Sequence, residues 1–533
     1  MKFIYSILIT FCAFSLSAQN ELPTGQIEVI KDFEVRLVET KKIRIIPPPV
    51  AIDSTVRRYE YKLLAPSPSI EYVVAELKPL AITPEKKATY YPLYAKAGYG
   101  SPNSLLALLS YDHVQSDALD WGIDFRHLSA NNKKIELQKF ADSQARINAS
   151  YLLTEDILID GYVDGKFEKH YFYGAEEIPN NPDVLKRSFN RYDVNLNISN
   201  RASESPSFHY KGVFNYLFDK DDLRTKERSL RAGGEIGAAI GANEYPVGLK
   251  VIADLTTVKD NQSQALNNVL IDPYAGFHTG NFKLHAGAKF LLRKENNEIL
   301  PDLEASYNLF ENMLTVRLGW KGDVMKNNFH YLSSYNPYIQ TRLDSITNMI
   351  TRRIYAGVKG TSGNIIYEIT GGYTKFERMA FFLQEFDDEE QFKPIYDDGS
   401  FLGLEGSLQF TILKNITLRT NGFTRFYSLD EEEKPWHRPS LGVEAMLAYN
   451  GGNDIYHASI LFHGENGLPY RTVGGTETRL DPLLDLSLHG DYYFTPSIGA
   501  FAEINNILGN NRERWVTYPT FGFNAKAGVM VRF

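Results

Sequence analysis

From Leu93 to Phe533 the chain alternates hydrophobic and polar residues with a period of two. That period puts successive side chains on opposite faces of a β-strand. Leu402, Leu404, Gly406, Leu408, Phe410 and Ile412 alternate with Gly403, Glu405, Ser407, Gln409 and Thr411. Leu484, Leu486, Leu488, Gly490, Tyr492 and Phe494 alternate with Asp485, Ser487, His489 and Asp491. Tyr192, Val194, Leu196 and Ile198 face away from Asp193, Asn195, Asn197 and Ser199, and Leu230, Ala232, Ile236, Ala238 and Ile240 face away from Arg231 and Glu235. The last strand is the clearest. Phe523, Ala525, Ala527, Val529, Val531 and Phe533 share one face; Asn524, Lys526, Gly528 and Arg532 share the other, with Met530 an apolar exception.

A soluble sandwich alternates too, so two further features decide the class. The polar face is rich in Asp, Asn, Lys and Arg, as a wet lumen allows. The connections also alternate in length. Thr154-Glu155-Asp156, Glu311-Asn312, Lys414-Asn415 and Thr495-Pro496-Ser497 are short turns; between them lie long polar loops at 129–142, 175–188, 219–228, 377–399, 429–438 and 465–481. Short turns on one side and long loops on the other are the rhythm of a membrane barrel, and counting with it gives about 22 strands. The stretch 326–349 is the hardest to place, because Asn336-Pro337 breaks the pattern. Charges obey the same faces: Lys283, Arg419 and Lys526 all fall opposite the apolar row. On the lipid face each would cost roughly 2–4 kcal/mol at the midplane. Tyr216, Phe218, Trp320, Tyr492 and Phe494 lie on the apolar face toward strand ends, as interface girdles would. The expected fold is all-β: a transmembrane antiparallel β-barrel over 91–533, preceded by a short extended periplasmic segment.

The amino terminus sets the compartment. Lys2, the apolar run Phe3 to Leu16 and the small residues Ser17-Ala18 read as a secretory signal over 1–18. Cys12, the sole cysteine, lies inside it, so disulfides, thiolate catalysis and cysteine metal sites are excluded for the mature chain. Residues 19–90 carry Pro47-Pro48-Pro49, Pro66, Pro68, Pro79 and Pro84, which disfavour long helices and central strands. This segment is read as a periplasmic docking element. No later segment offers the ~18 consecutive apolar residues of a spanning helix. Composition adds 33 Tyr and 32 Phe, suited to strands and membrane interfaces, and a net charge of −8 without a basic stripe, which argues against nucleic acid.

No zinc-protease helix, phosphate loop or dinucleotide fingerprint occurs. His209, His285, His457, His463 and His489 are placed in the lumen by the alternation and read as polar lining. The acidic runs Asp387 to Glu390 with Asp397-Asp398, and Asp430 to Glu433, match no calcium-loop spacing and read as solvated outer loops able to hold divalent ions against lipopolysaccharide. No catalytic, cofactor or metal residue is assigned, and no enzyme activity is expected.

The end of the chain carries a resemblance. Ala502-Glu503-Ile504-Asn505-Asn506-Ile507-Leu508, Tyr518-Pro519 and the final strand resemble the close of a TonB-dependent receptor barrel. The resemblance implies a cell outer-membrane location, with both the segment before the barrel and the carboxyl terminus in the periplasm. It also implies Val529, Val531 and Phe533 as the membrane-assembly signal. Such receptors carry a plug before the barrel, and 19–90 shows no plug-like motif; Ile27 to Ile30 could at most serve as a strand-pairing box for TonB. Two functions fit. One is a non-enzymatic subunit of a larger envelope complex for transport, secretion or barrel assembly, with protein partners in the outer membrane or periplasm. The alternative is a receptor-like transporter, or a self-gated porin, for a small solute or oligomer.

Overall fold

The structure is a computed structural model and describes residues 90–533 except 115–117, 175–178, 201–207, 295, 311–312, 341–342, 385–389, 453 and 510–511. The expected signal and all of the docking segment but Tyr90 lie outside the described residues, as does the turn Glu311-Asn312.

Twenty-two strands form a single sheet in which every neighbour pair is antiparallel. The first strand, Leu93–Ser101, pairs with the last, Asn524–Arg532, from Tyr94 opposite Arg532 to Ser101 opposite Ala525, so the sheet closes on itself. Closure leaves no unpaired edge, the condition for a sheet to stand in lipid. One end of the barrel holds the start of the first strand, the end of the last and brief connections, among them 155–156, 280–281, 363–364 and 414–415. The far end carries the long ones, among them 172–185, 328–346, 467–482 and 506–523.

The two faces separate as the alternation requires. Outward-facing Ile147, Val163, Leu196, Leu318, Ile354 and Leu402 are exposed large apolar residues, and so are Trp320, Tyr492 and Phe494. Aromatic pairs mark the rim at the terminal end: Tyr245 stacks on Phe277 with centroids 5.1 Å apart, and Tyr492 meets Phe494 edge-on at 5.2 Å. Met530, the misfit of the last strand, turns inward and is buried with Leu106, Tyr493 and Phe501 where the barrel closes.

Two expected loops differ from the observed chain, and the stretch that broke the pattern finds its place. The run 219–228 is mostly strand: Phe208–Asp221 and Lys226–Ile240 form a hairpin whose tight turn is held by the Asp221 carboxylate, which accepts from the N–H groups of Leu223 at 3.0 Å and Thr225 at 2.8 Å. Within 377–399 the strands Ile365–Gln384 and Phe392–Leu413 continue past a register shift between Phe376 and Met379. Polar residues there belong to strand that stands above the lipid band, where period-two hydrophobicity is no longer demanded. The stretch 326–349 holds a short helix, Phe329–Tyr335. Asn328 caps it by accepting from the Tyr331 N–H, and Asn336, extended ahead of Pro337, ends it.

Wall height varies around the barrel. The strands Ile365–Gln384 and Phe392–Leu413 have 20 and 22 residues, whereas the closing strands Ile498–Asn505 and Asn524–Arg532, about a quarter of the way round the barrel, have 8 and 9.

Candidate functional site: a polar lumen under an aromatic cap

The lumen is lined by the inward row of each strand. The charged side chains there neutralise one another across strands: Arg146 with Asp164 at 2.9 Å, Lys321 with Glu304 at 2.8 Å, Arg353 with Glu405 at 2.7 Å. Two recesses open in this wall. One, about 360 Å³, is bounded by Glu405, Asn421, Arg425, Glu444, His463 and Glu465; the other, about 300 Å³, by Asn195, Asn215, Arg231, Glu235 and Lys250. The lumen thus presents a polar, hydrogen-bonding surface.

The five histidines are in the wall as expected, and each has an ordinary polar neighbour. His285 lies 3.2 Å from Asp302, His463 3.8 Å from Glu465, His457 3.7 Å from Asp454 and His209 3.2 Å from the Tyr274 hydroxyl. His489 joins a network at the barrel seam. There Lys96 reaches Glu503 at 3.0 Å, Lys526 reaches the same carboxylate at 3.2 Å, and His489 lies 3.0 Å from Asp491. The network ties the first strand to the last two from inside. A close serine–histidine approach, His127 Nδ1 to Ser143 Oγ at 2.7 Å, lies on the outward face. Among the described residues no group of three or more His, Asp or Glu has a metal-holding arrangement. The acidic runs serve the backbone instead: Asp397 accepts from the N–H of Glu432 at 2.8 Å and of Glu431 at 3.2 Å, and Asp398 from that of Arg378 at 2.8 Å. Asp387 to Glu389 lie outside the described residues.

The sequence reading missed what closes the far end. The long connections fold together into a cap with a hydrophobic core of its own. Phe172, Leu185, Phe329, Leu332, Tyr338, Ile339, Phe382, Phe392, Leu468, Leu480, Trp515 and Tyr518 are all buried in one cluster. They come from four connections, 172–185, 328–346, 467–482 and 506–523, and from the strand ends at Phe382 and Phe392. Tyr338 stacks on Tyr518 with centroids 3.7 Å apart, and Trp515 meets Phe382 and Phe392 at 5.2 and 5.3 Å. Trp436, wholly buried, packs with Phe376 and Phe381 in a second cluster and donates its indole N–H to Glu432 at 2.7 Å. A signal was available: one of the four tryptophans, Trp436, sits in a segment read as a polar loop, 429–438.

Polar groups pin the cap to the wall. Arg187, buried, pairs with Asp221 at 3.1 Å and donates to the Ile339 carbonyl; Asn328 donates to Glu227 at 2.5 Å; Arg514 donates to the Tyr335 hydroxyl at 2.9 Å and to the His437 carbonyl at 3.1 Å. His437 is wholly buried and stacks on Trp515. Its Nδ1 donates to the Phe382 carbonyl at 2.9 Å, which leaves Nε2 as the unprotonated nitrogen. Burial pushes its pKa down to about 3 from the usual 6.5; the Phe382 carbonyl opposes that shift and the Arg514 charge adds to it. A histidine whose folded pKa is lowered binds fewer protons than its released form. Its packing is therefore undisturbed above pH 6.5 and loses stability as pH falls from there toward 3. The cap of the native chain is expected to become protease-sensitive across that window, and His437→Gln to flatten the dependence. An unchanged pH profile in the variant would show that another group controls it.

No protein-family model matches the sequence, and no curated protein matches it. Solved structures do. The ferric enterobactin receptor PfeA of Pseudomonas aeruginosa superposes with a TM-score of 0.61 at 11% identity, over 83% of this chain and 81% of that one. The siderophore receptor PirA of Acinetobacter baumannii gives 0.62 at 10% identity, over 84% and 81%. FpvA of Pseudomonas aeruginosa, solved with a bound pyoverdine, gives 0.62 at 10% identity, over 84% and 72%. The fold is that of a TonB-dependent-receptor barrel. In this receptor-type barrel, an outer-membrane architecture, the strand count and the closing pair agree with the sequence resemblance. The cap closes the end opposite the start of the first strand and the end of the last.

Proposed function

We propose that the chain is a receptor-like outer-membrane transporter, non-enzymatic, whose lumen passes a small polar solute or oligomer. The observation that carries this reading is a receptor-sized barrel with a polar, recessed inner wall beneath one closing cap. A 22-strand barrel encloses a lumen wide enough to require plugging, and siderophores are the ligand class named for its structural neighbours. In this reading both barrel termini face the periplasm and the cap faces outward, with 19–90 as a docking segment on the periplasmic side. Flux of size-graded solutes into proteoliposomes, with the full chain and with 19–89 removed, tests it. No flux in either, even with the cap loosened, would sink it.

The cap supports a second reading, a subunit of an envelope complex. A mouth covered by a buried aromatic core suits a scaffold better than an uptake port. Cross-linked affinity purification from gently solubilised membranes would then recover partners; monomer alone would count against it.

In either case Val529, Val531 and Phe533 are the proposed assembly signal. Val529 and Phe533 are exposed on the outward face of the last strand. Deleting Phe533 is expected to lower the folded barrel in the outer membrane severalfold without changing synthesis, read by heat-modifiable gel mobility. Wild-type levels would refute the role.

A further inference from the structure

The hairpin Phe208–Asp221/Lys226–Ile240 and the neighbouring strand Tyr245–Lys259 sort their charges by face at the far rim. Asp219, Asp221 and Glu227 turn inward, are buried, and are taken up by the cap through Arg191, Arg187, His330 and Asn328. The bases turn outward. Lys220 stands directly opposite Lys226, and Lys226 directly opposite Lys259. Arg228, two residues along from Lys226, faces outward as well, opposite Phe218.

Directly opposed side chains have Cβ atoms only about 5 Å apart, and like charges so placed repel. None of these four cations makes an ion pair with a described carboxylate, whereas Arg187, Arg191 and Lys326 on the lumenal side are paired with Asp221, Asp219 and Asp254. The nearby turn acids are engaged elsewhere: Asp222 accepts from the Ser188 N–H at 3.1 Å and Asp260 from the Gln262 N–H at 2.7 Å. Below the cations the same outward rows become apolar: Phe218, Tyr216 and Phe214; Leu230; Leu255. Two residues along a strand advance about 6.8 Å. The three lysines therefore stand one or two such steps beyond the apolar rows, with Arg228 level with Phe218.

We propose that Lys220, Lys226, Arg228 and Lys259 form a binding site for the phosphate groups of lipids in the leaflet that meets the capped rim. Three lysines held in register are costly alone and become favourable around a multiply charged anion. The site rests on the barrel standing in a membrane and is independent of what its lumen carries.

The test uses the full chain purified in neutral detergent, with a bis-phosphorylated glycolipid of the lipid A type, its dephosphorylated form, and inorganic phosphate. The phosphorylated lipid is expected to stay bound in native mass spectrometry and to raise the unfolding temperature, and the other two to do neither. The variant carrying Lys220→Gln, Lys226→Gln, Arg228→Gln and Lys259→Gln should bind that lipid at least ~tenfold more weakly. Without lipid it should be as stable as the native chain or more so, because in-register repulsion is gone. Should the fourfold variant fail to fold, Lys226→Gln against Lys226→Arg makes the same comparison. Lys375→Gln, an exposed lysine on the strand Ile365–Gln384, should bind as the native chain does. Equal binding by native chain and fourfold variant overturns the proposal. So does an equal loss in Lys375→Gln, which would mean diffuse charge, or an equal shift with inorganic phosphate alone.

Discussion

Replacing Trp515 and Tyr518 together by alanine is expected to open the barrel's far mouth. In planar bilayers the native chain should pass little current and the double variant stable, large currents. Trp515 touches Phe382, Phe392, His437 and Tyr335, and Tyr518 holds the stack with Tyr338 and donates to the Glu390 carbonyl at 2.5 Å. Removing a buried aromatic side chain costs about 3–5 kcal/mol. Because the two share neighbours, their effects will not simply add. The loss falls on the cap, since neither residue belongs to the barrel ladder. The variant should keep native heat-modifiable mobility while trypsin gains access to Arg512, which is buried in the native chain. Currents that stay near the native level with Arg512 cleaved would show that something other than the cap bars the lumen.

The second large effect lies at the seam. Gly528→Val is expected to abolish most of the folded barrel. A Cβ at Gly528 would lie 2.0 Å from the Ala97 carbonyl oxygen and 2.5 Å from the Gly98 Cα, both backbone. No side-chain rotation relieves such a contact; the first and last strands must part. Overpacking costs typically 1–3 kcal/mol when side chains can yield, so the upper end or more is expected here, roughly a hundredfold at 1.4 kcal/mol per decade. Gly490→Ala is the control, because the nearest atom to its Cβ, the His457 carbonyl oxygen, is 3.9 Å away. Folded yields on membranes, compared by gel mobility, decide it. Equal yields for the two variants would mean that the seam has more room than the geometry shows.

Much of the barrel was legible because lipid imposes one rule on every strand. A residue such as Leu402 or Val529 must face out, and Glu405 or Lys526 must face in, so period two survives along the whole wall. The resemblance of Ala502 to Leu508 and Phe521 to Phe533 to a receptor's closing strands agreed with the solved neighbours. The cap was illegible for the opposite reason. Its buried side chains are scattered over several connections, Phe172 in one, Tyr338 in another, Trp515 in a third, so no window of sequence shows a periodic apolar face. The strand extensions at 219–228 and 377–399 were read as loops because above the lipid band both faces are polar or packed. Met530 broke the pattern of its own strand, and only the seam's inner cluster explains it.

The cap also joins parts of the chain far apart in sequence. Gln138 donates to the Pro519 carbonyl at 2.6 Å and Tyr173 donates to the same oxygen at 2.9 Å, joining residues 381 and 346 positions apart. Those contacts hold the connection that leads into the last strand against connections from the first third of the barrel. The cap therefore works as a clasp, fastening the two ends of the barrel's chain to each other independently of the ladder at the seam.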